Sequence, residues 1–122
     1  AGGFSDLGTG GNGGTARGGG IYAGGFSCGS GSVAVSLMLS KVSGNHAVGG
    51  KGGDSNDSMG GDGGNAQGGG LYLGCSSTLV QHDIYSGIMG NSVLAGMLGI
   101  GTTDGLAGIA EGPNLFEECP VP

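Results

Sequence analysis

Glycine supplies 35 of the 122 residues, more than a quarter of the chain. A helix loses about 1 kcal/mol for each interior glycine relative to alanine, so a helical bundle does not survive that density. Each glycine also gives up more backbone freedom on folding than any other residue. An ordered fold must therefore offset that loss with dense backbone hydrogen bonding. Collagen is excluded, because the glycines do not hold a strict three-residue period along the chain. With no Trp, three Phe and three Tyr, the chain also lacks the aromatic core of a conventional mixed α/β enzyme.

The charge balance narrows the partners. Nine Asp and Glu face only Arg17, Lys41 and Lys51, a net charge of -6. Nucleic acid and anionic membrane surfaces both require Lys/Arg clusters, so neither is an expected partner. Residues 84–103 carry no charge over a bilayer-spanning length. Gly87, Gly90, Gly96, Gly99, Gly101 and Asn91 interrupt that run. Buried apolar backbone is expected there, with no membrane insertion. The chain opens at Ala1 without a charged and apolar leader, as a processed mature form or an excised piece would.

An internal repeat organises the rest. Residues 10–22 read GGNGGTARGGGIY and residues 60–72 read GGDGGNAQGGGLY, identical at nine of thirteen positions. Ala16/Ala66 and Tyr22/Tyr72 match without help from glycine bias. Each repeat passes from a glycine-rich polar texture to a β-like one. Residues 32–42 alternate, with Val33, Val35, Leu37 and Leu39 on one side and Ala34, Ser36, Met38 and Ser40 on the other. The counterpart, residues 77–89, is less regular. Gly44-Asn45 and Gly90-Asn91 follow at similar distances.

GGGIY, the alternating stretch, Val42-Ser43-Gly44-Asn45-His46-Ala47 and the following glycine run resemble bacterial cell-surface right-handed parallel β-helix proteins. The resemblance covers about residues 10–98. It departs at Met89-Gly90-Asn91, where Ser-Gly-Asn is usual, and ends after Ile100. It implies an all-β fold: a short right-handed parallel β-helix, or solenoid, with long glycine-rich loops. Coils are expected at about 18–48 and 68–98 within a single unit. A glycine-rich excursion is expected at 49–67, and an irregular tail at 99–122, where Pro113, Pro120 and Pro122 suggest an extended ending off the ladder. A competing account treats runs such as GGNGG and GGKGG as polyproline-II-like helices, where only glycine fits between neighbours. Both can hold in one molecule. Two coils are fewer than a solenoid normally needs, so the chain is expected to be a fragment or to stack with copies of itself.

This frame places the candidate sites. Gly49-Gly50-Lys51-Gly52-Gly53-Asp54 matches the opening of the calcium β-roll nonapeptide, making Asp54, Asp57 and Asp62 the residues that would supply oxygen to calcium. The spacing departs from that motif, and solvated turn aspartates are the plainer expectation. No other cofactor is expected. If the two coils are adjacent, Cys28 and Cys75 fall on neighbouring rungs, within reach of a disulfide; buried free thiols are the alternative. Cys119 is expected to be free or intermolecular. His82-Asp83 with Ser86 names triad residue types, but neighbours on a strand point to opposite faces. Lys51 with Asp54 and Asp57 is the one acid–base cluster, and it lies in a glycine run. His46 is expected at a corner. Tyr22 and Tyr72 are expected to stack as an aromatic ladder, and with Val33, Val35, Leu37 and Leu39 they form the expected assembly set.

The expected function is therefore not enzymatic. It is an extracellular or cell-surface structural protein that self-assembles into a filament or matrix by β-strand stacking, as a homo-oligomer or polymer. The alternative is an adhesin-type binding module recognising carbohydrate or a cell surface. A β-helix enzyme acting on polysaccharide ranks third.

Overall fold

A computed structural model describes residues 1–24 and 32–120. The described residues are all-β, with short parallel strands in small sheets. In chain order these are β1 (Ala16–Arg17), β2 (Ile21–Ala23), β3 (Val33–Leu37), β4 (Lys41–Val42), β5 (His46–Val48), β6 (Ala66–Gln67), β7 (Leu71–Leu73), β8 (Ser77–Gln81), β9 (Gly87–Ile88), β10 (Ser92–Leu94), β11 (Ala110–Glu111) and β12 (Leu115–Glu117). No helix among them is long and apolar enough to cross a membrane.

The chain divides into two compact units and visits each three times. This differs from the expected single unit. A glycine unit comprises Ala1–Ala16, Val48–Ala66 and Val93–Glu111; a strand unit comprises Arg17–Ala47, Gln67–Ser92 and Gly112–Pro122.

In the glycine unit each visit contributes two extended segments joined by a turn, and each pair forms a layer. The first layer is residues 2–5 and 10–16, the middle layer 49–55 and 60–66, the third 94–100 and 103–109. The N–H groups of Gly2, Ser5, Gly10, Gly13 and Ala16 donate to the carbonyls of Lys51, Asp54, Met59, Asp62 and Asn65 at 2.6–3.1 Å. Gly49, Gly52, Ser55, Gly60, Gly63 and Ala66 repeat the pattern onto Leu94, Met97, Ile100, Thr103, Leu106 and Ile109 at 2.8–2.9 Å. Other residues bond sideways or diagonally: Gly61 and Gly64 donate to Gly53 and Gly50, and Gly50 and Gly53 to Gly14 and Gly11.

The bonding step between layers is three residues, the turn length of a polyproline-II helix, which has no internal hydrogen bonds and satisfies its backbone only through neighbours. The 49–67 run is thus the centre of a layered bundle and not an excursion between coils. Glycine is required because the segments touch backbone to backbone. A Cβ on Gly13 would fall on the Gly50 carbonyl oxygen, one on Gly52 on that of Gly61, and one on Gly64 on that of Gly14.

In the strand unit the three visits pair in register. Ile21, Tyr22 and Ala23 lie against Leu71, Tyr72 and Leu73, which lie against Leu115, Phe116 and Glu117. β3 pairs with β8 and β4 with β9, all parallel. β7 lies between β2 and β12 and is buried along its whole length. Ala23, Leu71 and Leu73 form the core, with Ile21, Val35, Leu79, Ile88 and Leu115 packed around them. One turn recurs in all three visits: Gly18, Gly68 and Gly112 take φ of +66°, +66° and +60°, the left-handed region open to glycine.

Two further expectations are corrected. The described part of the expected irregular tail, residues 99–120, instead completes the third layer and supplies β11 and β12. Pro113 is accommodated because its carbonyl accepts from Gly70 N–H at 3.0 Å while its missing N–H faces no further pass. The alternating strand also ends early. Leu37 is buried, but Leu39 stands 75% exposed with φ +48°, past the end of β3.

Candidate interaction surfaces

Aromatic side chains line up where the strand register places them. Tyr22 stacks on Tyr72 with ring centroids 5.1 Å apart, and Tyr72 on Phe116 at 5.5 Å. Phe116 is the member that sequence comparison missed. The signal was Leu115-Phe116 after Gly112, matching Leu71-Tyr72 after Gly68. The Arg17 guanidinium sits 5.2 Å from the Tyr72 ring centroid, an additional cation–π contact. Tyr72 is 1% exposed and Tyr22 57%, so the stack is closed in the middle and open at its first ring. No hydrogen bond of ordinary geometry reaches the buried Tyr72 hydroxyl, although the Glu118 carboxyl lies close enough to act on it. Burial, and then the Glu118 carboxyl, push its pKa up to about 12. An asparagine ladder runs beside the strands. Asn91 Oδ1 accepts from Asn45 N and Nδ2 at 3.0 Å, and Asn114 Oδ1 accepts from Asn91 N and Nδ2 at 3.1 and 3.2 Å.

The cysteine expectation is corrected. Cys75 is bonded to Cys119, Cα atoms 5.0 Å apart, which ties the end of β12 to the turn after β7. Cys75 is therefore not available to Cys28, which lies outside the described residues. The register explains the pairing: Glu117 lies opposite Leu73, and Glu118 N–H donates to the Leu73 carbonyl at 2.9 Å, bringing Cys119 alongside Cys75. A cleft of about 280 Å³ opens beside the bridge, lined by Leu73, Gly74, Ser77, Thr78, Leu79, Glu117 and Cys119.

Two of the three aspartates named for calcium are engaged in hydrogen bonds. Asp54 accepts from Lys51 Nζ at 3.0 Å and from Ile100 N–H at 2.9 Å, which together hold its pKa below the usual carboxylate value, the Ile100 bond first. Asp62 accepts from Leu106 N–H at 2.8 Å. Asp57 is exposed in the intervening turn. Among the described residues no three His, Cys, Asp or Glu come together as metal ligands. The three residues named for calcium are thus not gathered into one site.

Nor do the triad residue types assemble. Asp83 accepts from the N–H groups of Leu39, Tyr85 and Ser86 and from Ser86 Oγ, at 2.7–2.9 Å. These bonds, Leu39 first, lower its pKa. His82 is bonded to Ser36 at 2.6 Å. His46, expected at a corner, instead opens strand β5, where its ring is bonded to Ser92. Asp83 is a turn carboxylate that secures the Leu39 corner, and among the described residues no hydrogen bond joins it to His82.

What stands out is surface. The third layer carries an apolar side chain at every third residue: Leu94, Met97 and Ile100 on one segment, Leu106 and Ile109 on the other, each 58–73% exposed. Lys51, Met97, Leu98, Ile100 and Ala107 enclose an apolar hollow of about 440 Å³ there. Turn tips expose Leu7 (90%) in the glycine unit and Ile84 (89%) in the strand unit. Comparison with known proteins finds no matching family model, curated protein or solved structure. The likeness to cell-surface β-helix proteins therefore rests on the quoted motifs alone.

Proposed function

We propose that this chain is a non-enzymatic structural module of an extracellular or surface assembly, and that its strand unit is a short right-handed solenoid. The observation that supports this is the repeated edge pairing. Strands of successive visits pair with one another, and among the described residues β2 at the first edge has a single strand partner, β7. Unpaired parallel edges invite further strands. The cell-surface setting comes from the motif likeness. Sedimentation velocity and negative-stain electron microscopy across dilution test the reading. Concentration-dependent oligomers or filaments are expected; a monomer at every dilution overturns self-assembly.

The second reading, an adhesin-type module, draws on the turn tips. Leu7 and Ile84 hold large apolar side chains almost wholly in water, which suits a contact surface for a carbohydrate or a cell envelope. Binding to glycan arrays or whole cells that Leu7→Ser and Ile84→Ser abolish, with the fold kept, would favour it over assembly.

A further inference from the structure

We infer that the first layer of the glycine unit is an interior layer lacking its neighbour, and that its open face receives one further layer: a hairpin of glycine-rich extended segments presenting N–H groups and glycines. The inference rests on the structural reading above and specifies the partner's chemistry.

Two independent observations support it. The first is steric. The face that each layer turns toward its predecessor is written in glycine. In the middle layer a Cβ on Gly53 would fall on Gly3 O and one on Gly64 on Gly14 O; in the third, one on Gly99 would fall on Gly53 O and one on Gly108 on Gly64 O. The first-layer counterparts are Gly3 and Gly14, and a Cβ on either meets nothing within 4 Å. Glycine at an open position carries a conformational cost with no return in packing, about 0.4–1 kcal/mol against alanine.

The second observation is the acceptor row. The carbonyls of Met59, Asp62 and Asn65 accept from Gly10, Gly13 and Ala16. Their first-layer counterparts, fifty residues earlier, are Thr9, Asn12 and Thr15. Among the described residues no hydrogen bond reaches those three carbonyls. The open face thus repeats the acceptor side of an interface already formed twice below it.

The same comparison excludes two other occupants. A second copy presenting its own first layer would set one acceptor row against another. A second copy presenting its third layer would bring N–H donors, but with side chains attached. At the positions of Gly52, Gly60 and Gly63 the third layer has Leu98, Asp104 and Ala107, and at Gly60 or Gly63 a Cβ already falls on a carbonyl of the facing layer. The stack is therefore one-sided, closed at the third layer and open at the first.

The test compares the full chain with an extended chain in which residues 51–96 are repeated ahead of Ala1, each with and without Gly14→Ala. Linkage in one chain supplies the effective concentration that a free glycine peptide lacks. In the unextended chain G14A is expected to leave the thermal midpoint unchanged or slightly higher. In the extended chain the added segment is expected to resist protease, and G14A to lower the midpoint by at least about 5 °C, since the new methyl now meets backbone. An extension cut as readily as an unfolded peptide, with G14A neutral in both chains, overturns the proposal. Because the extended chain is read alone, a monomeric parent removes the self-assembly reading without affecting this result.

Discussion

Equivalent glycines in successive repeats have different physical roles, and substitution separates them. Gly64 and Gly14 are repeat partners, yet a methyl on Gly64 falls on backbone while one on Gly14 points into open space. Backbone in a three-deep bundle cannot give way as a flexible side chain can. Gly64→Ala is expected to cost about 3 kcal/mol or more, or to prevent folding, whereas Gly14→Ala is neutral or stabilising by a few tenths. Urea denaturation of the two variants checks this. Tyr72 is a second single-residue case. Its ring is stacked on both faces, but no hydrogen bond of ordinary geometry reaches its buried hydroxyl. Removing an unsatisfied buried polar group relieves its desolvation, so Tyr72→Phe is expected to stabilise the chain by up to about 1 kcal/mol. A loss of stability in that variant would reveal a hydrogen bond at the hydroxyl.

Turns and ties govern the next scale. Asp83 binds the Leu39, Tyr85 and Ser86 N–H groups and lies below its ordinary pKa of 3.8, as does Asp54. A carboxylate whose pKa is lower folded than unfolded contributes stability that is full above the unfolded value. That contribution is lost as pH falls through the folded value. Stability should therefore hold above about pH 5 and decline below about pH 4, and Asp83→Asn should flatten the decline. Thermal melts from pH 2 to 7 read both. The Cys75–Cys119 bridge closes a separation of 44 residues, which on loop-closure entropy is worth about 4 kcal/mol. Peptide mapping without reductant should recover Cys75 joined to Cys119. Reduction should lower the stability of the strand unit and leave exchange in the glycine unit unchanged.

Legibility in the sequence also divides at this scale. Tyr22 and Tyr72 announced their stack through a thirteen-residue repeat at an offset of fifty, and the Val33, Val35, Leu37 alternation marked β3. The third visit was hidden because its offset from the second is 44 at Leu71↔Leu115, and Pro113 and Asn114 replace two glycines of the motif. Leu39 escaped because alternation continues in the letters past the point where Asp83 pulls the backbone into a corner. The Cys75–Cys119 pairing required the third visit and was invisible without it.

At the scale of the whole chain, one repeat builds two structures from two textures. Stretches with two glycines in three residues pack as extended segments joined by backbone bonds, and stretches with alternating apolar residues pair as strands around Leu71 and Leu73. Neither depends on a large side-chain core, which is how a chain with 36% apolar residues and no Trp reaches order. The glycine composition that excludes helices is what allows the layers to touch. The third layer ends the series because Leu98, Asp104 and Ala107 stand where the middle layer has glycine.

The most direct test of this account is residue-resolved amide hydrogen exchange of the native chain. Gly52, Gly61 and Gly64, deep in the glycine unit, should exchange as slowly as Leu71 and Leu73 of β7. The N–H of Lys51, an exposed residue of the middle layer that has no backbone bond among the described residues, should exchange fast. Uniformly fast exchange across residues 49–66, with protection confined to the strands, would show the glycine runs to be loops and contradict the layered bundle.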